Sequence, residues 1–225
     1  HSFPTRRSSD LTHHVNIEWE QLAILNYVMP LSEIPSAQYF SAGWHPWYLN
    51  GFSVNECKRE FKKLASYNNF VAVGECGLDR KKGNNWDEQI LAFETQLEIA
   101  KEYKKPLILH AVKSYSDLLQ LLKMHQFENK ILIHGFIGNE QAVRQFSTFD
   151  TYFSFGKSIF NDHSKSIEHL KTIAAEKIFF ETDDSNFSIS DIYLRAATIR
   201  QVSVEELSRI TKNNFREFIG DELVR

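Results

Sequence analysis

The sequence predicts an α/β fold built on a parallel sheet, open or closed into a barrel. Three observations carry this. Short runs rich in Ile, Val and Phe recur along the chain, bounded by Gly or polar residues, as buried parallel strands are. Apolar residues at helical spacing lie between several of the runs. Five of the runs end at, or just before, a histidine or a carboxylate: His45, Glu75, His110, His134 and Asp183. Alternating strand and helix units imply parallel pairing. A chain of 225 residues suits one α/β barrel or two smaller domains. No repeat or low-complexity linker divides it, so it reads as one domain.

The elements follow in order. The opening string HSFPTRRSSDL resembles an in-frame translation of a sequencing-library adapter. Residues 1–11 are therefore set aside as foreign, and 12–225 are read as the native barrel. Residues 23–28 are the first strand-like run, and the Pro-containing stretch 29–36 is a loop. Runs at 39–43, 70–74, 107–109, 130–133, 151–155 and 177–182 follow. Ile90, Phe93, Leu97 and Ala100 form a helical stripe that Pro106 stops. Leu118, Leu121 and Leu122 mark a second helix, and Ala142, Val143 and Phe146 a third. Near the end, Ser203-Val204-Glu205-Glu206 reads as a capping box opening a helix with Val204, Leu207 and Ile210 on its apolar side.

Composition narrows the function. With 42% hydrophobic and 24% charged residues the chain is globular rather than disordered or coiled-coil. A net charge of -3 and a pI near 6.3 give no basic field for nucleic acid. Two cysteines, Cys57 and Cys76, suit a reducing cytoplasm. No apolar run approaches the ~20 residues of a membrane span.

In a parallel barrel the strand ends converge on one face, where active sites form. Histidine and carboxylate are the side chains that hold Zn²⁺, Mn²⁺ and similar ions. A mixed set from several strands can hold two of them and stabilise both attacking and leaving oxygens. Each residue also has an ordinary role open to it. A strand-end histidine can be a hydrogen-bonded structural residue, and Asp183 or Asp184 a helix cap.

The motifs at these positions resemble the TatD-type metal-dependent deoxyribonuclease family. Gly43-Trp44-His45-Pro46 is similar to its Gly-x-His-Pro segment. Gly74-Glu75-Cys76-Gly77-Leu78-Asp79 is similar to its Gly-Glu-x-Gly-Leu-Asp motif. Lys105-Pro106-Leu107-Ile108-Leu109-His110, Ile133-His134-Gly135-Phe136 and Glu181-Thr182-Asp183 resemble three further segments.

The resemblance implies a distorted TIM (β/α) barrel, here with its first strand truncated, and two divalent ions (Mg, Mn or Zn). By position, Glu75 would bridge the ions, and His110 and His134 would complete one shell. Asp183 would bind metal and orient or deprotonate the attacking water. His13 corresponds to the second histidine of a first-strand His-x-His pair whose first member falls on Leu11. The short interval from His13 to His45 suggests a compact subgroup. His45, Arg80 and Lys113 are the candidate substrate contacts, with Trp44, Trp47 and Tyr48 available to stack on bases. The implied activity is exonuclease-like cleavage of DNA, single-stranded or at 3′ ends, in the cytoplasm, with no membrane or obligate protein partner. Two other readings stay open: an amidohydrolase-type enzyme acting on a small ester or amide, and a metal- or nucleic-acid-binding protein whose catalysis is impaired because Leu11 cannot ligate.

Overall fold

The computed structural model describes residues 22–30, 33, 36–82, 85–183 and 185–223. Seven strands form one sheet in sequential order: β1 Ile24–Val28, β2 Tyr39–Gly43, β3 Phe70–Asp79, β4 Leu107–Val112, β5 Ile131–Ile133, β6 Thr151–Phe155 and β7 Ile178–Phe180. Every neighbouring pair is parallel. The connecting helices are α1 Val54–Leu64, α2 Trp86–Glu102, α3 Tyr115–Met124, α4 Glu140–Phe146, α5 Lys165–Thr172 and α6 Ile189–Arg200, with α7 Val204–Ile219 closing the order. The first strand expected around His13 lies outside the described residues.

Side chains two residues apart on a strand share a face. On six strands that face carries an apolar residue followed by a polar one: Ile24/Asn26, Tyr39/Ser41, Ile108/His110, Leu132/His134, Tyr152/Ser154 and Phe179/Glu181. The apolar members form one buried cluster with Val71 and Ala72, and Phe215, Phe218 and Ile219 of α7 complete it. So α7 packs onto the inner side of the sheet near the strand starts. Its ring contacts are Phe215 with Tyr39 and Phe218 with both Tyr152 and Phe179. Asn214 secures the helix by donating to the carbonyls of Ala175 (2.8 Å) and Ile178 (2.9 Å). A larger cluster lies between the outer face of the sheet and the other helices, including Phe40, Phe61, Phe70, Leu107, Leu109 and Phe153.

The longest strand, β3, breaks its alternation twice. Its register slips opposite Phe40/Ser41 of β2, and again between Val73 and Cys76 along β4. In the second irregularity Val73 pairs with Leu107 and Cys76 with Leu109, so three steps on β3 oppose two on β4. Unbroken alternation from Val73 would put Glu75 beside Leu109 on the outer face. The extra residue turns Glu75 and Asp79 inward and leaves Cys76 and Leu78 in the outer core.

The sequence pattern located all seven strands but stopped β3 five residues short, at Gly74, where the continuous apolar run ends. It missed α1 and α5, whose buried stripes are short or interrupted by polar residues, and also α6, which carries a regular stripe of Ile189, Ile192, Tyr193, Ala196 and Ala197. Half of the expected Ser203 box forms, the Ser203 hydroxyl accepting from the Glu206 N–H at 3.1 Å. A full reciprocal box caps α6 instead, between Ser188 and Asp191.

Candidate metal centre

The polar members of the inner face meet above the apolar layer. Glu75 is at the middle. Its Oε1 lies 2.8 Å from His110 Nδ1, 3.4 Å from His45 Nε2 and 3.7 Å from His134 Nε2. Its Oε2 accepts from the Asn26 amide at 3.2 Å. The Asn26 oxygen in turn accepts from the Glu75 N–H (2.6 Å) and the Ser41 hydroxyl (3.0 Å), which fixes the amide orientation. Glu75, His45 and His110 are all buried.

Each further imidazole has a second anchor. His110 Nε2 lies 3.0 Å from Asp79 Oδ2, and His134 Nδ1 lies 2.9 Å from Glu181 Oε2. Asp79 and Glu181 are buried. Asp79 Oδ2 also accepts from the Trp47 indole at 2.7 Å. Its Oδ1 accepts from the backbone of Lys81 (2.7 Å) and Lys82 (2.9 Å). His134 Nε2 stands 3.6 Å from Asp183 Oδ2, which sits past β7 in a left-handed turn (φ 45°) with its carboxylate partly exposed.

Charge in this cluster is set by its neighbours. Burial opposes the Glu75 anion, but the imidazoles of His134, His45 and His110 outweigh it and hold the carboxyl well below the usual range. Burial likewise disfavours protonated His134, yet Glu181, Glu75 and Asp183 raise it well above an ordinary imidazole. His110 is raised in the same way, by Glu75 and Asp79 against burial. For His45 burial wins, and it is lowered. Asp183 is lowered, its contact with His134 outweighing burial.

Two buried glutamines on α2 hold the loops that carry these groups. Gln96 takes the Trp44 N–H on its oxygen (2.7 Å) and donates to the Trp44 carbonyl (3.1 Å), next to His45. Gln89 does the same at Asp79, with 2.8 and 3.2 Å. Gln89 and Gln96 are seven residues apart, two helical turns on one face. One helix therefore positions the strand ends of both β2 and β3.

The residues singled out from sequence divide as follows. Glu75, His110 and His134 come together, with Asp183 at the edge through His134. His45, expected to face substrate, also reaches Glu75 and His110. Arg80 turns aside, with both its Nε (3.2 Å) and Nη2 (2.6 Å) on Asp117 and its guanidinium 4.0 Å above the Trp86 ring. Lys113 is exposed in a left-handed turn (φ 53°) after β4. His13 lies outside the described residues. Sequence reading gave no role to Asn26, Gln89, Gln96, Asp79 or Glu181. Their partners sit on other strands or on α2, which no local spacing reveals.

His45, Glu75 and His110 each offer one ligand atom within 4.8 Å of the others, an arrangement that could hold a metal ion. The donor set fits a divalent cation on its own chemistry. Imidazole nitrogens and carboxylate oxygens, with no thiolate, suit Zn²⁺ or Mn²⁺. Several of them surround a single anionic oxygen that needs positive charge beside it.

The chain is similar to proteins named as metal-dependent hydrolases. The chain is 26% identical over 197 residues to the uncharacterized metal-dependent hydrolase YabD of Bacillus subtilis, covering 78% of this chain and 75% of that protein. It is 30% identical over 162 residues to the 3′-5′ ssDNA/RNA exonuclease TatD of a Rahnella strain, covering 67% of this chain and 59% of that one. The fold matches the crystal structure of YJJV, a TatD homologue from Escherichia coli, with a TM-score of 0.71 at 24% identity, over 80% of this chain and 76% of that one. The seven parallel strands are thus a TIM-type barrel of the distorted kind. The model of the TatD-related DNases matches residues 4–220, so the chain belongs to that family of metal-dependent hydrolases.

Proposed function

We propose that this hydrolase is a nuclease that cleaves phosphodiester bonds of single-stranded DNA from an end, in the cytoplasm, with two divalent ions. Glu75, His110, His134 and Asp183 would hold them, with His13 from the first strand. The observation that carries the reading is the convergence of His45, His110 and His134 on one oxygen of Glu75. A relative 30% identical over 162 residues is named as a 3′-5′ exonuclease of single-stranded DNA and RNA.

When bound, such ions polarise a phosphoryl oxygen and make a water acidic near neutral pH. The chain supplies the rest. Glu75 brings a buried anion between the imidazoles, and Asn26 keeps its second oxygen from rotating away. Asp183 is ionised, partly exposed and adjacent to His134, which suits it to take a proton from the attacking water. Tyr48 is exposed on the loop after β2, where a base at the strand end would stack. Arg80 is occupied by Asp117 and Trp86, so Lys113 is the better candidate to meet a phosphate.

The test is hydrolysis of end-labelled single-stranded DNA, RNA and duplex DNA in metal-free buffer and with Mg²⁺, Mn²⁺ or Zn²⁺. Glu75→Gln serves as the control. Stepwise release from one end, only with metal and only with Glu75, is expected. Metal-dependent turnover of esters or amides without any nucleic-acid cleavage would replace this reading with the amidohydrolase one. Residues 1–11 are proposed to be foreign, so Leu11→His with a native strand start should raise activity. Equal turnover before and after would count against that.

A further inference from the structure

The loops after β6 and β7 build a second feature at the mouth, which the metal centre does not use. The last residue of β6, Phe155, pairs with Phe180 of β7. Gly156 then lies tight against Glu181, where a Cβ would stand 3.0 Å from the carbonyl oxygen and 3.1 Å from Cγ. The next residue, Lys157, is exposed and opens a short helical turn, Lys157–Phe160. Asp183 follows Phe180 by three residues on the neighbouring strand, so both groups emerge at the same edge of the mouth. Burial opposes the Asp183 anion, His134 outweighs burial, and the charge of Lys157 adds to the lowering.

The far end of that turn carries Phe160, whose ring stacks on Phe187 with centroids 3.8 Å apart and planes 2° from parallel. Phe187 lies four residues past Asp183 and is 39% exposed. Phenyl rings packed for stability favour offset or edge-on contact, as Phe136 and Phe153 do at 64°. A parallel, partly exposed pair is instead a stack that a further flat ring can extend. Both halves are anchored. Arg195 of α6 donates to the Ile159 carbonyl (3.1 Å) and to the Asp162 carboxylate (2.6 Å), which fixes the loop after β6. The Ser185 hydroxyl donates to the Phe187 carbonyl at 3.3 Å, and Ser188 caps α6 directly after it.

We propose that Lys157 and the Phe160–Phe187 stack form a nucleotide subsite beside the metal centre, where Lys157 meets a phosphate next to the scissile bond and an unpaired base stacks on Phe187. This rests on the nuclease reading and states where its substrate lies. A cation followed by an aromatic face matches the phosphate and base of one nucleotide. The face is open to a base of a single strand, whereas a duplex base is already covered by its neighbours. Lys157 also stands two strands from Lys113, which follows β4, so the two cations flank different sides of the mouth. A chain of net charge -3 needs such local contacts to hold a polyanion.

The test uses the whole chain with a labelled short thymidylate strand and a strand of equal length whose sugars carry no bases. Binding is read by fluorescence anisotropy in metal-free buffer over a salt series, and KM and kcat by cleavage with Mn²⁺. Circular dichroism confirms that each variant folds. Phe187→Leu is expected to weaken binding and raise KM for the thymidylate strand by about 5–100-fold, with kcat nearly kept and the base-free strand unaffected. Lys157→Gln is expected to weaken both strands and to flatten the slope of log affinity against log salt by about 0.7. Phe187→Trp keeps a flat ring and is expected to bind the thymidylate strand at least as tightly as the unaltered chain. Unchanged affinity and KM in Phe187→Leu and Lys157→Gln would overturn this inference alone. So would an equal effect of Phe187→Leu on both strands, or a loss of thymidylate affinity in folded Phe187→Trp. An unaltered chain that neither binds nor cleaves any strand would overturn the nuclease reading with it.

Discussion

Glu75 meets three imidazoles with one oxygen and Asn26 with the other. Glu75→Gln keeps the size and a hydrogen-bonding end but removes the anion. Turnover with any divalent ion should fall by at least about a hundredfold, while the circular dichroism spectrum is unchanged. Ser154 offers a contrast in the same inner layer. Its hydroxyl is buried with no hydrogen-bond partner among the described residues. Removing an unpaired hydroxyl costs little, so Ser154→Ala should leave the urea midpoint unchanged or raise stability by up to about 1 kcal/mol. A loss of several kcal/mol would show that the hydroxyl is in fact bonded. Among these residues the histidines, Glu75 and Asp183 were legible because each follows a recognisable apolar run. Asn26 was not, since it lies inside a run and gains its meaning from Glu75, 49 residues later.

At the scale of elements, β3 and α2 matter most. Gly77 has φ 144°, and a Cβ there would stand 2.1 Å from the His110 carbonyl oxygen on β4. Gly77→Ala should therefore cost more than about 2 kcal/mol in chemical denaturation and pull His110 from the centre. On α2, Gln96→Leu would strip partners from both the N–H and the carbonyl of Trp44. A loss of about 2–4 kcal/mol is expected, together with weaker metal binding through the His45 loop. Preserved stability in a thermal melt would show that Trp44 has other support. The strands were readable because hydrophobic runs are local. The bulge in β3 was not, because it exists only as a mismatch with β4. Helix α1 escaped notice for a related reason, as Cys57, Phe61 and Leu64 are its only buried side chains amid lysines and glutamates.

The whole molecule stacks a polar layer on an apolar one inside the same sheet, and the chain as a whole carries a net charge of -3. Among the described residues no helix is long and apolar enough to cross a membrane. One pH-dependent contribution lies on the outer surface, away from the centre. His125 bridges Glu98 (2.8 Å) and Glu94 (3.0 Å), joining the end of α3 to α2. Burial opposes its charge, but the two carboxylates outweigh burial and raise it above an ordinary imidazole. A raised folded-state value means the stabilisation is complete below the unfolded histidine value of about 6.5. It is lost as pH rises through the folded one. His125→Gln should therefore cost up to about 1 kcal/mol at pH ~5.5 and less at pH ~8.5. An equal cost at both would mean that the imidazole acts by packing alone.

The inner apolar layer owes three of its side chains, Phe215, Phe218 and Ile219, to the last long helix. A ribosome makes that helix after every strand it covers. Until it emerges, the nascent sheet carries Tyr152, Phe179 and Leu132 without their cover, and the barrel cannot complete its interior in the order it is synthesised. Emergence of α7, rather than growth of the sheet, would then be the step at which this protein becomes safe from aggregation. A ribosome-stalled chain ending at residue 202 should bind a hydrophobic dye strongly, and one stalled well beyond α7 should not.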